Sequence, residues 1–353
     1  MKSIGFVNRD KKNSDMRILL IMDPGIPVPP PLYGGHERLV HMFAEEYAKK
    51  GHTVSLLAGP NSNISGTTHS FGKNDLNRSK WQRLKELLQA WIFLYQKRND
   101  FDAIHNFGRL AYLIPIISKK VKKIMTYGRP VSKKGISAIT RLPHQNLTFT
   151  ACSNYCVSTG NTTGYWKTVY NAIDFKKYNL QEKIKADAPL MFLGRMDKVK
   201  GLHTAINICR STGNQLYIGG NIPTTPDNYL YYKEFIEPKF DGKQIIYLGP
   251  LNDNEKNHYL GKSKALLFPI EWDEPFGMVM VEAMACGTPV IAFNRGSVPE
   301  IVADGINGFV VNNKEEMISA IEKVESINRK SCRIYAEERF NTQIIAERYL
   351  SLI

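Results

Sequence analysis

The sequence of 353 residues has no apolar run near the roughly 20 residues a bilayer-crossing helix needs, which argues against a helical membrane span. Its first residues, MKSIGFVNRDKKNSD, lack the apolar core of a secretory signal, and residues 1–15 read as a flexible tail or an extra strand. Cysteine is sparse. Cys152, Cys156, Cys209, Cys286 and Cys332 are odd in number, irregularly spaced and without a Cys-x-x-Cys pair, so neither a disulfide framework nor a thiolate zinc site is expected. A reducing, cytoplasmic setting fits that pattern. No Gly-x-Gly-x-x-Gly follows the first strand-like run, so the dinucleotide fingerprint is absent. Acidic residues are scarce in one half only. Residues 1–170 hold 10 Asp/Glu against 25 Lys/Arg, and residues 171–353 hold 23 against 22. Such a split points to two domains with different partners, the basic one suited to an anionic membrane, an acidic acceptor or nucleic acid.

What is present is organised around Leu266–Phe293, LLFPIEWDEPFGMVMVEAMACGTPVIAF. Leu266–Phe268 is a short buried strand that Pro269 ends. Glu271, Asp273 and Glu274 load the next loop with carboxylates. Pro275 suits a first helical turn, Gly277–Cys286 is an apolar helix, and Gly287 with Pro289 stops it before the strand Val290–Phe293. A helix N-terminus at a strand's carboxyl end presents unbonded N–H groups and partial positive charge, where a diphosphate binds readily. Glu282 lies inside the apolar helix. A buried carboxylate needs a partner: a ribose or sugar hydroxyl pair, or a neighbouring Arg, Lys or backbone group.

Upstream, Arg17–Met22, the helix His36–Lys50 and Thr53–Ala58 form a βαβ unit with Gly34-Gly35 at the helix start. Between them runs the stiff loop DPGIPVPPPLYGG. Ser79–Arg98 has helical periodicity, with Trp81, Leu84, Leu87, Leu88, Trp91, Ile92 and Tyr95 on one face and Lys80, Arg83, Lys85, Lys97 and Arg98 around it. That face packs in the core or lies on an anionic membrane. Asp100-Phe101-Asp102 spells a metal-binding Asp-x-Asp but sits where a turn opens a short strand, and no required metal is expected. Leu110–Ser118 reads as a helix. Lys119, Lys120, Lys122, Lys123, Arg129, Lys133 and Lys134 make the most basic segment. Further on, Leu190–Leu193 is a strand ending in Gly194-Arg195, and Lys200-Gly201 opens a helix. Arg binds a diphosphate bidentately and Lys binds it as a point charge. The final helix is expected over Glu337–Leu352.

Glu274-x7-Glu282 within EPFGMVMVEAMACGTPVIA resembles the signature of the retaining glycosyltransferases of family 4, which have the GT-B architecture, and GRMDKVKG is similar to that family's phosphate clamp. The resemblance implies an α/β chain of two Rossmann-like, doubly wound domains facing across a cleft. It implies an N-terminal acceptor-side domain over 1–168, a C-terminal nucleotide-sugar domain over 169–335, and a helix at 336–353 returning to the first domain. It implies a catalytic role for Arg195, Lys200 and Glu274, with Arg195 and Lys200 neutralising the leaving diphosphate. Gly34, Gly35, Gly194, Leu251, Phe276, Gly277, Met278, Val279 and Glu282 would bind the donor, Glu282 through the ribose hydroxyls. His105 and Tyr127 stand as acceptor-side residues. Tyr127 occupies the place where the family often carries a histidine, and Ala172 replaces a glycine of the interdomain segment.

The implied activity is metal-independent hexosyl transfer with retention, from a nucleotide diphosphate sugar to a hydroxyl of a glycan, a lipid-linked acceptor or a small molecule, in cell-surface polysaccharide or glycoconjugate synthesis. No cofactor is implied, a UDP-sugar is favoured over a GDP-sugar as donor, and nucleic acid is not an expected partner. No side chain is an evident nucleophile, which favours front-face attack. The alternatives are a sugar-nucleotide epimerase of the same fold and a non-catalytic polyanion-binding protein.

Overall fold

The computed structural model describes residues 15–31, 34–160 and 163–353, so the expectation for the N-terminal tail lies, but for Asp15, outside the described residues. The chain forms two compact units, Met1–Lys123 and Ile124–Ile353. Compactness therefore divides it earlier than the boundary that the sequence places near residue 168.

In the first unit β1 (Arg17–Ile21), α1 (Gly35–Lys49) and β2 (Thr53–Ala58) make the expected βαβ turn. Strand β3 (Thr67–Ser70), helix α2 (Lys80–Gln96) and strand β4 (Ala103–Asn106) follow. The strands are parallel in the order β3-β2-β1-β4. Because β1 is flanked on both edges, its Ile18, Leu19, Leu20 and Ile21 are fully buried, as a continuous apolar run requires. Helix α1 buries Leu39, Val40, Phe43, Ala44 and Tyr47, the face its periodicity marks.

Helix α2 starts with a capping box, Ser79 accepting from the Gln82 amide while Gln82 reaches back to the Ser79 amide. It buries Glu86, Ala90 and Leu94. Its apolar stripe faces outward, with Trp81 81% exposed and Ile92 58%. Leu110–Ile116 is a 3-10 segment rather than the expected α-helix, because Pro115 within it cannot donate a helical bond. Lys123, expected among the basic surface residues, turns inward, its Nζ donating to the Lys119 and Val121 carbonyls at 2.6 and 2.7 Å. Burial pulls its pKa down to about 8.

The second unit contains β5 (Lys122–Tyr127, continuing across the unit boundary), α3 (Lys133–Thr140), β6 (Leu147–Ala151), α4 (Asn154–Gly160) and β7 (Tyr165–Thr168), with β5, β6 and β7 side by side. A six-stranded parallel sheet follows. Its elements are β8 (Leu190–Leu193), α5 (Leu202–Thr212), β9 (Leu216–Gly219), α6 (Pro226–Tyr231), β10 (Ile245–Gly249), α7 (Asp253–Lys262), β11 (Leu266–Phe268), α8 (Met278–Ala285), β12 (Val290–Phe293), α9 (Val298–Ile301) and β13 (Gly308–Val311). Strand order is β10-β9-β8-β11-β12-β13, so the order reverses at β8 and the carboxyl ends of β8 and β11 flank the switch point. Leu190, Phe192, Leu216, Ile218, Leu267 and Ile291 anchor the core on which α5 and α10 (Lys314–Lys323) pack.

The expected single C-terminal helix is two, α11 (Arg329–Phe340) and α12 (Thr342–Leu350). The break at Asn341 has a local cause. Its extended backbone bridges to Ile173, the Ile173 amide donates to the Phe340 carbonyl at 3.0 Å, and the Asn341 side chain caps α12. Helix α12 sets the buried Tyr349 hydroxyl against Thr126 and Thr150, within the second unit.

Candidate functional site

Two glycines let the chain close up around the ends of β8 and β11, one directly after β9 and one in the turn after β8. Gly220 passes so close to β8 that a Cβ on it would lie 1.9 Å from the Gly194 carbonyl oxygen, and Gly201, at φ +72°, would put one 1.9 Å from that of Pro269. No side chain fits at either place. Gly201 thus presses the Lys198–Lys200 turn onto the residue after β11. Lys200 Nζ donates to Glu274 Oε2 at 2.6 Å, and Trp272 Nε1 donates to the same oxygen at 3.0 Å. The ammonium also lies 5.0 Å from the centre of the Trp272 ring. Behind Glu274 its carbonyl accepts from the Ser297 amide at 2.9 Å, and its backbone packs closely on Gly296. The acid and the base of this pair are both largely covered, at 14% and 22% side-chain exposure.

Arg195 follows β8 and pairs with Asp197, whose carboxylate is 6% exposed while the Arg195 side chain is 57% exposed. The buried acid holds the guanidinium at its base and leaves its face in solvent. Helix α8 begins after Gly277, which caps it at φ +79° with no side-chain acceptor over its first amides. The ring of Phe276 is buried against Tyr170 and Phe340 at centroid distances of 6.2 and 5.7 Å. Phe276 and Gly277 therefore present chiefly backbone, while the Met278 and Val279 side chains are half-buried. Leu251, beyond β10, packs on Gly219, where an added Cβ would meet its Cδ1 at 2.6 Å.

Glu282 has partners within the protein. Its Oε1 accepts from Lys256 Nζ at 2.7 Å and from the Tyr178 hydroxyl at 3.0 Å, and Lys256 also reaches Asp253 at 3.2 Å. Burial opposes the charge on Lys256, but Glu282 and Asp253 together hold its pKa above the ordinary value. Burial, with the nearby Glu282, raises that of Tyr178. Of the two kinds of partner the sequence allowed, a neighbouring cation is the one in place here.

The acceptor-side residues fare differently. His105 lies in the interior of the first unit, 2% exposed, with Nδ1 at 3.2 Å from the Tyr47 hydroxyl and its ring 4.0 Å from that of Phe107. Burial lowers its pKa to about 3, so the imidazole is neutral, and its place in the interior lends no support to the expected acceptor-side role. Tyr127 ends β5, half-buried and 5.9 Å from the Trp166 ring, with burial raising its pKa. It can donate a hydrogen bond but not serve as a base near neutral pH. Gly34 precedes α1 and Gly35 begins it, where an added Cβ on Gly34 would meet Pro30 at 2.8 Å. Asp100 pairs with Lys97 at 3.0 Å, and Asp102 accepts from the Arg17 amide and side chain, consistent with a turn opening β4. Among the described residues no group of three or more His, Cys, Asp or Glu is arranged to hold a metal ion.

Sequence reasoning missed Asp197, Trp272, Tyr178 and Lys256. Asp197 carried a signal, an acid two residues after an arginine at a strand end. Lys256 and Tyr178 carried none, because Glu282 meets Lys256 only through the packing of α7 on α8, and Tyr178 comes from the distant segment before β8. Glu300 was missed as well. It accepts from the Asn154 and Tyr155 amides at 2.7 and 2.8 Å, tying α9 to the start of α4.

Residues 174–339 match the family model described as glycosyl transferases group 1. The chain is 27% identical over 292 residues to an uncharacterized 41.2 kDa protein in the cps region of Klebsiella pneumoniae, covering 72% of this chain and 79% of that one. Among solved structures, the sucrose-phosphate synthase of Thermosynechococcus elongatus superposes with a TM-score of 0.76 at 20% identity, covering 96% of this chain and 98% of that one. Alr3699/HepE of Anabaena, in complex with UDP-glucose, superposes at 0.71 and 17%, covering 96% and 100%. The chain thus shares the GT-B fold, with two parallel-sheet Rossmann-like domains.

Proposed function

Because residues 174–339 match the family model of the group 1 glycosyl transferases, we propose that this protein is a retaining, metal-independent hexosyltransferase that moves a sugar from a nucleotide diphosphate donor to a hydroxyl acceptor. The observation that carries the reading is the convergence of Lys200, Glu274 and the uncapped start of α8, with Arg195 exposed on its buried Asp197. A diphosphate lying over the α8 amides would be met by Arg195 and by the remaining donors of Lys200, so that charge building on the leaving group is stabilised where it develops. Glu274, fixed by Trp272 and Lys200, would hold sugar hydroxyls near the reacting carbon. Gly194 and Leu251 would approach the nucleotide. Glu282, sharing its charge with Lys256 and Tyr178, would offer its carboxylate to the ribose hydroxyls. With no side-chain nucleophile assigned, front-face attack is the step we favour, the donor phosphate accepting the acceptor's proton.

A UDP-sugar is the proposed donor. Support comes from the structural likeness to a protein crystallised with UDP-glucose. The relative in a cps region supports an acceptor in cell-surface polysaccharide synthesis, a glycan or lipid-linked hydroxyl. The place of action would be the cytoplasm, peripherally at the inner face of the membrane. A thermal-shift screen of nucleotide sugars tests the donor, because a ligand that binds only the native state raises stability with its concentration. The expected result is a rise with a UDP-sugar, followed by transfer that EDTA does not abolish. Absence of binding to every nucleotide sugar, or epimerised donor without transfer, would overturn the reading.

A further inference from the structure

Among the described residues, the first unit carries an exposed apolar face. Along α2, Trp81, Leu84, Leu88, Ile92 and Tyr95 are 81, 44, 46, 58 and 57% exposed, and the opposite side of the helix, Glu86, Ala90 and Leu94, is the buried one. By helical spacing these five residues make a single stripe running the length of the helix. Ile114, 37% exposed, stands on the neighbouring 3-10 segment, and a groove of about 330 Å³ between Leu88, Ile92 and Pro115 broadens the patch. The helix is firmly seated beneath it: Trp91 Nε1 donates to the Ala111 carbonyl at 2.8 Å.

Charge selects the partner. Lys80 and Lys85 fall on opposite flanks of the stripe, and Lys97 and Arg98 stand at its end. The sole acid of α2 is Glu86, which is buried against Arg78 and Arg109 and shows no charge to the outside. The unit as a whole holds 20 Lys/Arg against 10 Asp/Glu. Trp81 in the first turn and Tyr95 in the last place amphipathic rings at both ends of the stripe, as residues at a headgroup boundary do.

We propose that the outer face of α2 is a membrane-docking surface, which lies flat in the interface of a bilayer containing anionic lipids. Apolar side chains enter the acyl boundary while the flanking cations meet the phosphates. The proposal rests on the reading above only for which membrane face is used, and its test needs no transfer activity, so either can fail without the other.

The experiment is co-sedimentation of the full chain with vesicles of phosphatidylcholine, alone or mixed with phosphatidylglycerol. Binding is expected to the mixed vesicles and to weaken with salt. Leu88→Ser with Ile92→Ser should lower the partition coefficient by at least about tenfold. Lys80→Gln and Lys85→Gln should each lower it by about fivefold. Thermal unfolding checks that these surface variants fold. Trp81→Phe should abolish most of the fluorescence blue shift that mixed vesicles induce, while binding persists. Absence of binding to mixed vesicles would overturn the proposal, as would binding that survives the Leu88/Ile92 double change. So would a self-association that the double change abolishes, in a protein that ignores vesicles.

Discussion

Helices α2 and α8 are opposite solutions to the same problem. Each buries a glutamate. In α8 Glu282 lies among buried apolar neighbours, paired with the Lys256 ammonium and hydrogen-bonded by the Tyr178 hydroxyl. In α2 Glu86 is 3% exposed and held by Arg78 and Arg109, while the stripe Trp81, Leu84, Leu88, Ile92 and Tyr95 points to solvent. The difference teaches that an apolar stripe marks a face that prefers to leave water, not the face that meets this protein's own core. Here the core side of α2 is set by an ion cluster, with Asp23 and Tyr112 extending it at 2.8 Å.

The largest effects expected from this comparison come from breaking the two buried clusters. Glu282→Leu leaves Lys256 with Asp253 alone, and Glu86→Leu takes the acid from Arg78 while Arg109 keeps Asp23. Each should cost about 2–3 kcal/mol in denaturant unfolding, and a loss under 1 kcal/mol at either would remove the parallel. Next in size is Lys200→Ala, near the start of α8, which should lower turnover by about 10²- to 10³-fold with the unfolding midpoint nearly unchanged. Unaltered turnover would separate the Lys200–Glu274 pair from the chemistry.

A third test concerns the interior of the first unit. His105 is neutral in the folded protein at a pKa near 3, against about 6.5 unfolded. Between those values the unfolded chain binds the extra proton, so stability falls on acidification from about pH 6.5 toward pH 3. At about pH 5 the wild type should have lost roughly 2 kcal/mol more than His105→Gln, measured by urea unfolding at each pH. Equal slopes would mean that His105 is not buried neutral. The smallest effect sharpens the contrast most. Leu88→Ser on α2 should change stability by no more than about 0.5 kcal/mol, where the same change in a core helix costs several.

Much of the architecture was legible in the chain. The strand Leu190–Leu193, the strand Leu266–Phe268 and the helix after Gly277 lie where short apolar runs, prolines and glycines mark them. Such signals are local, since a proline lacks its N–H and a positive φ favours glycine wherever the chain goes afterwards. Lys200, Glu274 and Arg195 were legible as charges at strand ends, though not as a pair sharing one oxygen with Trp272. His105 misled because a histidine closing a strand looks the same whether it faces solvent or core.

By itself, then, the sequence determined the alternation of strands and helices, the glycine turns and the positions of the charges, because each depends on neighbours a few residues away. Tertiary structure alone decided who answers each buried polar group: Lys256 for Glu282, Arg109 for Glu86, Tyr47 for His105. It also decided that the apolar side of α2 faces out. Partners separated by 26, 23 and 58 residues meet only when sheets and helices pack, and no periodicity records that meeting.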